Sequence, residues 1–396
     1  MRIIENLVFK GGGVLGTAYV GAFNALQEYM LAGKQDNRPL GNVIRTAGTS
    51  AGSIFSAMIS LGLSAEEVAN EQAEMNYATF VDIDPDFIAH EGLCYGNSFL
   101  NWMKRLVKKY IGDKSSNTDP TFNDLYKLHQ TDNTYKDLHV YSYNADQNRL
   151  YEFSYQTTPD VPIAEAVRAS MSIPFFFQPW KFSGDLAEKY PGKFIDGGVF
   201  YNYPITTFDS DGTNLRTMGF YLDNMSFGNE SIVRLLVHCL LYIFHCSEKF
   251  KTITEGILDT LKALKELEQT NENSFEKLSR AMSGKELDLG GAEEHLLKLI
   301  DNDMPLEHKV DLVASLAKDI PHLAGFFTTL KDYGQIIAAS IHLPYNLRFE
   351  NDAQRTVFVD NLGYSFADFW MPQSNKNNLI NSGYKCTSQY LQYMLY

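Results

Sequence analysis

Gly48-Thr49-Ser50-Ala51-Gly52 sets a serine between two glycines in the pattern G-x-S-x-G, which exposes a nucleophilic hydroxyl where a strand bends sharply into a helix. The flanks suit that bend: Val43 to Ala47 reads as a short buried strand, and Ser53 to Ile59 as the apolar opening of a helix. Gly48 and Gly52 remove the Cβ atoms that a strained turn would press against backbone. A serine alcohol also needs a base to take its proton and donors for the oxyanion that its attack creates.

Donors are available near the start of the chain, where Ile3 to Phe9 reads as a strand running into Lys10-Gly11-Gly12-Gly13-Val14-Leu15-Gly16. Thr17 to Leu26 follows with apolar residues three and four apart, so the loop is expected to open a helix whose backbone N–H groups favour negative charge. Gly11, Gly13 and Gly16 also satisfy G-x-G-x-x-G. A dinucleotide site, however, wants an acid ending a second strand about 20 residues on, and the residues before Asp36 are not a buried strand. A P-loop wants Lys-Ser or Lys-Thr after the last glycine, where Thr17 and Ala18 stand.

The base is sought among carboxylates delivered by strands, and Phe194-Ile195-Asp196-Gly197-Gly198 carries one into a double-glycine turn. Taken singly it is an ordinary Asp-Gly turn. Taken with the serine and the glycine loop it reads as the proton acceptor. An aspartate with an ordinary pKa near ~3.9 is a poor base for an alcohol, so burial must raise it. A Ser-acid-His triad is the rival, and His322 and His342 are its candidates by order. Ser50 nevertheless comes earlier in the chain than the serine of such enzymes, and His238 and His245 lie in an apolar run that reads as core or interface.

In these motifs the chain resembles the bacterial patatin-like phospholipases, relatives of plant patatins and cytosolic phospholipase A2. The resemblance rests on Phe9 to Leu26, Gly48 to Gly52, Ala169 to Pro179 and Asp196-Gly197-Gly198, in family order. It extends to Arg355 to Val359, Phe366 to Phe369 and Leu379 to Tyr384. It implies an α/β three-layer fold with a central, mostly parallel sheet flanked by helices. It also implies a phospholipase A or lysophospholipase activity through an acyl-serine intermediate. Carried over, Ser50 is the nucleophile and Asp196 the base, without histidine. Gly11, Gly12 and Gly13, joined by the Ala51 N–H, form the oxyanion hole. Gly16, Gly48, Gly52, Gly197 and Gly198 support the turns, and Phe175, Phe176 and Phe177 line an acyl channel or pack in the core. Leu15 departs from the basic residue that many relatives carry there, which leaves headgroup preference open.

Composition bounds the rest. With 396 residues, 44% of them hydrophobic, the chain has material for one large core plus a subdomain. Residues 1–223 and 352–396 are expected to form the catalytic core, and 224–351 a mostly helical insertion open to an activator or an oligomer contact. Four scattered cysteines show no zinc spacing, and the carboxylates no calcium-loop spacing, so neither metal nor cofactor is expected. The N-terminus lacks a secretory pattern, which points to the cytoplasm; an effector exported by a signal-independent route has the same appearance. A net charge of -14 argues against nucleic acid and against long-range attraction to anionic membranes. Contact with a phospholipid surface must therefore be local and transient. Phe99 to Ile111 interleaves cations with large apolar residues, as either an interfacial helix or a surface helix with its stripe in the core.

Overall fold

The computed structural model describes residues 3–31, 40–84, 90–222, 349–364, 366 and 368–393. Nearly all of them belong to one compact unit assembled from Met1–Asp84, Cys94–Ser226 and Ser340–Tyr396. The strands are β1 (Asn6–Phe9), β2 (Arg45–Thr49), β3 (Gly92–Cys94), β4 (Asp137–Asn144), β5 (Arg149–Phe153), β6 (Phe175–Phe177), β7 (Phe194–Asp196), β8 (Thr217–Leu222) and β9 (Thr356–Val359). The α-helices are α1 (Ala18–Leu31), α2 (Ala51–Ser60), α3 (Ala65–Glu74), α4 (Asn97–Ile111), α5 (Phe122–Thr131), α6 (Ile163–Ser170), α7 (Asp185–Lys189), α8 (Phe349–Gln354) and α9 (Gln373–Tyr393). The central sheet runs β5-β4-β2-β1-β8-β9, with β7 also paired to β4; β3 and β6 lie outside it. Every pairing among β4, β2, β1, β8 and β9 is parallel, whereas β5 and β7 run antiparallel to β4. The expected α/β architecture with a mostly parallel sheet is thus present.

Central strands of a parallel sheet are covered on both faces and need continuous apolar runs. All four residues of β1 and all eight of β4 are buried accordingly. Helix α2 is buried along its whole length, and its small and apolar residues allow that. The glycine loop after β1 opens the helix α1, as expected, but through an added turn. A 3-10 turn, Gly13–Thr17, intervenes before α1. On one face α1 crosses α9 so closely that a Cβ on Gly21 would fall 1.8 Å from Ile380 O, and one on Gly383 would fall 1.9 Å from Ala18 O. Through α9 and β9 the C-terminal stretch therefore joins the sheet and its helical layer. Arg355 adds an anchor, with its guanidinium on Asp209 and Asp352.

The stripe of α4 is buried through Phe99, Leu100, Met103, Leu106, Val107 and Ile111, so its apolar face belongs to the core and is not offered to lipid. No described helix is long and apolar enough to cross a membrane. Residues 224–351 fall outside the described set except for the stretch from 349, as do Cys239, Cys246 and the four histidines named above.

One polar cluster in the sheet centres on a buried histidine. His139 lies between Glu152, 2.8 Å from Nδ1, and Asp137, 3.5 Å from Nε2, with the Phe208 ring against its edge. Burial opposes its charge, yet the two carboxylates outweigh burial and hold its pKa up at about 9. Since the folded value lies above the ordinary 6.5, this contribution is complete below pH 6.5 and disappears as pH rises through about 9. The urea midpoint is expected to fall over that window by an amount equivalent to about 3 kcal/mol at most. A His139→Gln variant should lose that pH dependence, and an unchanged dependence would contradict the assignment.

Candidate active site

The meeting of Ser50 and Asp196 follows from strand pairing. Strand β2 runs along β4 until Thr49 stands opposite Tyr141. On the same edge, β7 arrives from the opposite direction and ends with Asp196 opposite Ser142. Two strands meeting head to head on adjacent rungs cannot both continue. At that point β2 breaks off into α2 through Ser50, and β7 breaks off into a 3-10 turn at Gly197. The serine and the aspartate are the residues at the two breaks.

Ser50 has φ 53° and ψ -130°, a conformation that non-glycine residues adopt only when their surroundings enforce it. Its N–H donates to Ser170 Oγ at 2.8 Å, and Ser170 Oγ in turn donates to Tyr141 O at 2.6 Å. The glycines around it are demanded by close packing. A Cβ on Gly48 would lie 2.3 Å from Gly52 O, and one on Gly52 would lie 2.2 Å from Phe9 O. Seated in this way, Ser50 Oγ donates a 2.6 Å hydrogen bond to Asp196 Oδ2, and Met171 Sδ stands 3.6 Å away.

The other carboxylate oxygen of Asp196 accepts the Gly198 N–H at 2.6 Å, which fixes the group's orientation. The Asp196 N–H donates to Ser172 O, and Ser172 Oγ accepts from the buried Arg168 guanidinium. Burial raises the Asp196 pKa to about 7, although the bonds from Ser50 and Gly198 pull the other way. That direction is the one a proton acceptor for an alcohol needs.

The glycine loop is shaped partly as expected and partly not. Val14 N–H donates to Phe366 O, and Gly13 is required both by its positive φ of 52° and because a Cβ there would sit 2.3 Å from that oxygen. The Gly11 N–H donates to Asn202 O at 2.9 Å. The expectation that Gly11 supplies an oxyanion donor is corrected on that account: its amide is already used. Gly11 matters through its missing Cβ, which would fall 2.2 Å from Asn202 Oδ1 and 3.0 Å from Ser50 Cβ. The amides of Gly12, Gly13 and Ala51 have no acceptor among the described residues. Gly16 packs against Ala51, at 3.1 Å for an added Cβ, and Gly197 lies over Tyr141 O.

For the phenylalanine run, a channel wall and core packing were both expected as alternatives. Phe176 and Phe177 are buried in the core, where Phe176 stacks on Phe369 at 4.3 Å between ring centroids and the Arg168 guanidinium lies over Phe177. The Phe175 side chain lies outside the described set. Sequence reasoning gave no role to Arg168, Ser170, Met171, Ser172 or Asn202. Four of these fall on or beside the stretch from Ala169 to Pro179 that resembles the family, a signal of importance without a role.

The mostly parallel sheet and its flanking helices place the chain among the α/β proteins, with Ser50 on a strand-to-helix elbow. More narrowly, it belongs to the patatin-like phospholipase family, whose description matches residues 7–209, about half of the chain. A protein of Acanthamoeba polyphaga mimivirus, R571, is 33% identical over 211 residues, covering 52% of this chain and 62% of the viral one. Probable lipid hydrolase 463L of Invertebrate iridescent virus 6 is 26% identical over 208 residues, 52% of this chain and 63% of its own. The chain thus spans less than two thirds of the length of these relatives. VipD from Legionella pneumophila is similar in structure, with a TM-score of 0.49 at 14% identity over 98% of this chain and 67% of that one.

Proposed function

We propose that this chain hydrolyses a carboxylic ester of a glycerophospholipid or lysophospholipid, with Ser50 as nucleophile and Asp196 as base. The observation that carries the reading is the 2.6 Å bond from the Ser50 hydroxyl to a carboxylate whose burial has raised its pKa to about 7. Family membership and the likeness to a viral protein named as a probable lipid hydrolase support the choice of lipid ester.

As Ser50 Oγ attacks the ester carbonyl, its proton passes to Asp196 Oδ2 along the existing hydrogen bond. The carbonyl oxygen becomes an oxyanion facing the unoccupied amides of Gly12, Gly13 and Ala51, and donors of this kind contribute roughly 3 to 4 kcal/mol each. Collapse of that intermediate breaks the ester C–O bond, and Asp196 returns the proton to the departing alcohol. Asp196 then removes a proton from water as it attacks the acyl-serine carbonyl, and on collapse the acyl C–Oγ bond breaks, Asp196 returns that proton to Ser50 Oγ, and the fatty acid leaves. Among the described residues, Ser50 Oγ contacts a carboxylate and a thioether, which supports the dyad reading. The division into a catalytic core of 1–223 and 352–396, with 224–351 as a contact region for an activator or a second copy, is part of the proposal.

The test is release of labelled fatty acid from phospholipid or lysophospholipid micelles by the pure protein, alone and with cell extract. Silence under both conditions would favour a binding protein instead. Ser170 offers a second check, since its hydroxyl links the strained Ser50 amide to Tyr141 O. Ser170→Ala leaves both of those groups unpaired at a buried position, so about 1 to 3 kcal/mol of stability should be lost. Loosening of the elbow should lower kcat about tenfold with little change in KM.

A further inference from the structure

We infer that Arg168 is a positioning residue for the Ser50 and Asp196 pair, acting through Ser172 to hold the strip 170–172 on which both members depend. The inference rests on the reading of those two side chains as a catalytic dyad. Three successive residues at the end of α6 each meet one part of the pair. Ser170 Oγ accepts the Ser50 N–H at 2.8 Å, Met171 Sδ stands 3.6 Å from Ser50 Oγ, and Ser172 O accepts the Asp196 N–H at 2.8 Å. A shift of this strip therefore moves the nucleophile and the acid relative to each other.

Ser172 lies beyond the last residue of α6, and Arg168 grips its hydroxyl from both sides. Arg168 Nη1 donates to Ser172 Oγ at 2.6 Å, and Ser172 Oγ donates to the Arg168 carbonyl at 3.0 Å. The other donors of the fork reach two separate segments: Nε donates to Gly96 O at 3.1 Å, and Nη2 to Tyr95 O at 2.8 Å and to Gln178 O at 3.0 Å. Arg168 thus ties the strip to the residues that lead into α4 and to the residue that follows β6. Gly96 makes room for it, since a Cβ there would fall 2.3 Å from Nη2. The Phe177 and Trp180 rings flank the guanidinium, with centroids 5.2 and 5.8 Å from Cζ.

Arg168 is only 1% exposed, yet every group it donates to is a neutral oxygen. Burial lowers its pKa to about 10 against the opposing pull of Asp82 and Cys94, so the group stays charged at neutral pH. The Asp82 carboxylate accepts the Gly96 and Ser98 N–H groups instead of pairing with it. A buried cation without a paired carboxylate is costly, and an apolar side chain of similar volume often serves stability as well. What the planar fork adds is a set of directed bonds that fix one strip against two other segments at once.

Arg168→Lys keeps the charge but not the fork, and Ser172→Ala removes the gripped hydroxyl while leaving the carbonyl that Asp196 uses. Both variants and the double variant are compared with the wild type in three measurements: fatty-acid release, the rate at which an alkyl fluorophosphonate labels Ser50, and hydrogen exchange at the Ser50 and Asp196 amides. Arg168→Lys is expected to lower kcat per labelled serine by about 10- to 100-fold with KM unchanged within about twofold. Exchange at the two amides should quicken by about tenfold or more, while the amides of β1 stay as protected as in the wild type. A merely structural role would lower the urea midpoint and the fraction of serine labelled, but not kcat per labelled site. Because Arg168 acts through Ser172, the double variant should be no slower than Arg168→Lys alone. The inference is overturned by wild-type kcat per labelled serine in Arg168→Lys, by additive losses in the double variant, or by unchanged exchange at both amides. If the wild type neither releases fatty acid nor labels, the hydrolase reading fails, and exchange alone decides the role of Arg168. If Arg168→Lys fails to fold, Ser172→Ala carries the same measurements: about a tenfold loss of kcat with faster exchange is expected, and wild-type values overturn the inference.

Discussion

Asp196→Asn is expected to lower kcat/KM for fatty-acid release by about 10²- to 10⁴-fold, the usual contribution of a positioned general base. Asparagine preserves the shape of the side chain but cannot take the Ser50 proton. For the wild type the same residue sets the pH profile. With a pKa near 7, Asp196 is protonated and inert as a base in acid, so kcat/KM should rise as pH increases through about 7 and level off above it. Stability should change in the opposite sense. A carboxyl whose pKa is raised from 3.8 to about 7 favours the fold when neutral, and its ionisation costs stability progressively over that window. At pH 8 the asparagine variant should therefore be more stable than the wild type, by about 4 kcal/mol at most. An inactive variant that is also harder to unfold with urea would separate a lost base from a damaged fold. Full activity in Asp196→Asn would remove the aspartate from the mechanism.

Gly52→Ala is expected to be the most damaging single methyl addition at the site. The new Cβ would lie 2.2 Å from Phe9 O, 2.7 Å from Phe9 C and 2.8 Å from Lys10 O. These atoms end the central strand β1 and begin the glycine loop, so they cannot move aside without disturbing both the sheet and the loop. A loss of roughly 3 kcal/mol or more is expected, read as a lower urea midpoint or as absence of soluble protein. Gly41→Ala is the control, because a Cβ there meets nothing within 4 Å, and its effect should stay within about 0.5 kcal/mol. Equal midpoints for the two variants would show that the elbow does not pack against β1 as described.

Much of the site was legible because its parts are local. The glycines around Ser50, the loop after Phe9 and the Asp-Gly-Gly turn each carry their backbone requirement in a few adjacent residues. Hydrophobic runs likewise announced β1, β2 and α2 to within a few residues. Other features needed partners far away in the chain. Gly11 resembles its neighbours in sequence, yet its amide is taken by Asn202. Gly21 and Gly383 are ordinary helix glycines until the two helices cross. Phe176 and Phe177 could equally have walled a channel or filled a core, and the ring of Phe369 decided between these.

Residue types and short spacings, then, were sufficient to single out Ser50, Asp196 and the glycine loop as candidates, because bond geometry over a few residues obliges those types. They could not say how far the acid would be withdrawn from water. That property arises where β2 and β7 meet end to end on β4, pressing Asp196 out of water and against Ser50. Desolvation is a property of the surrounding packed chain, and only folding brings residues 50, 142 and 196 to one place.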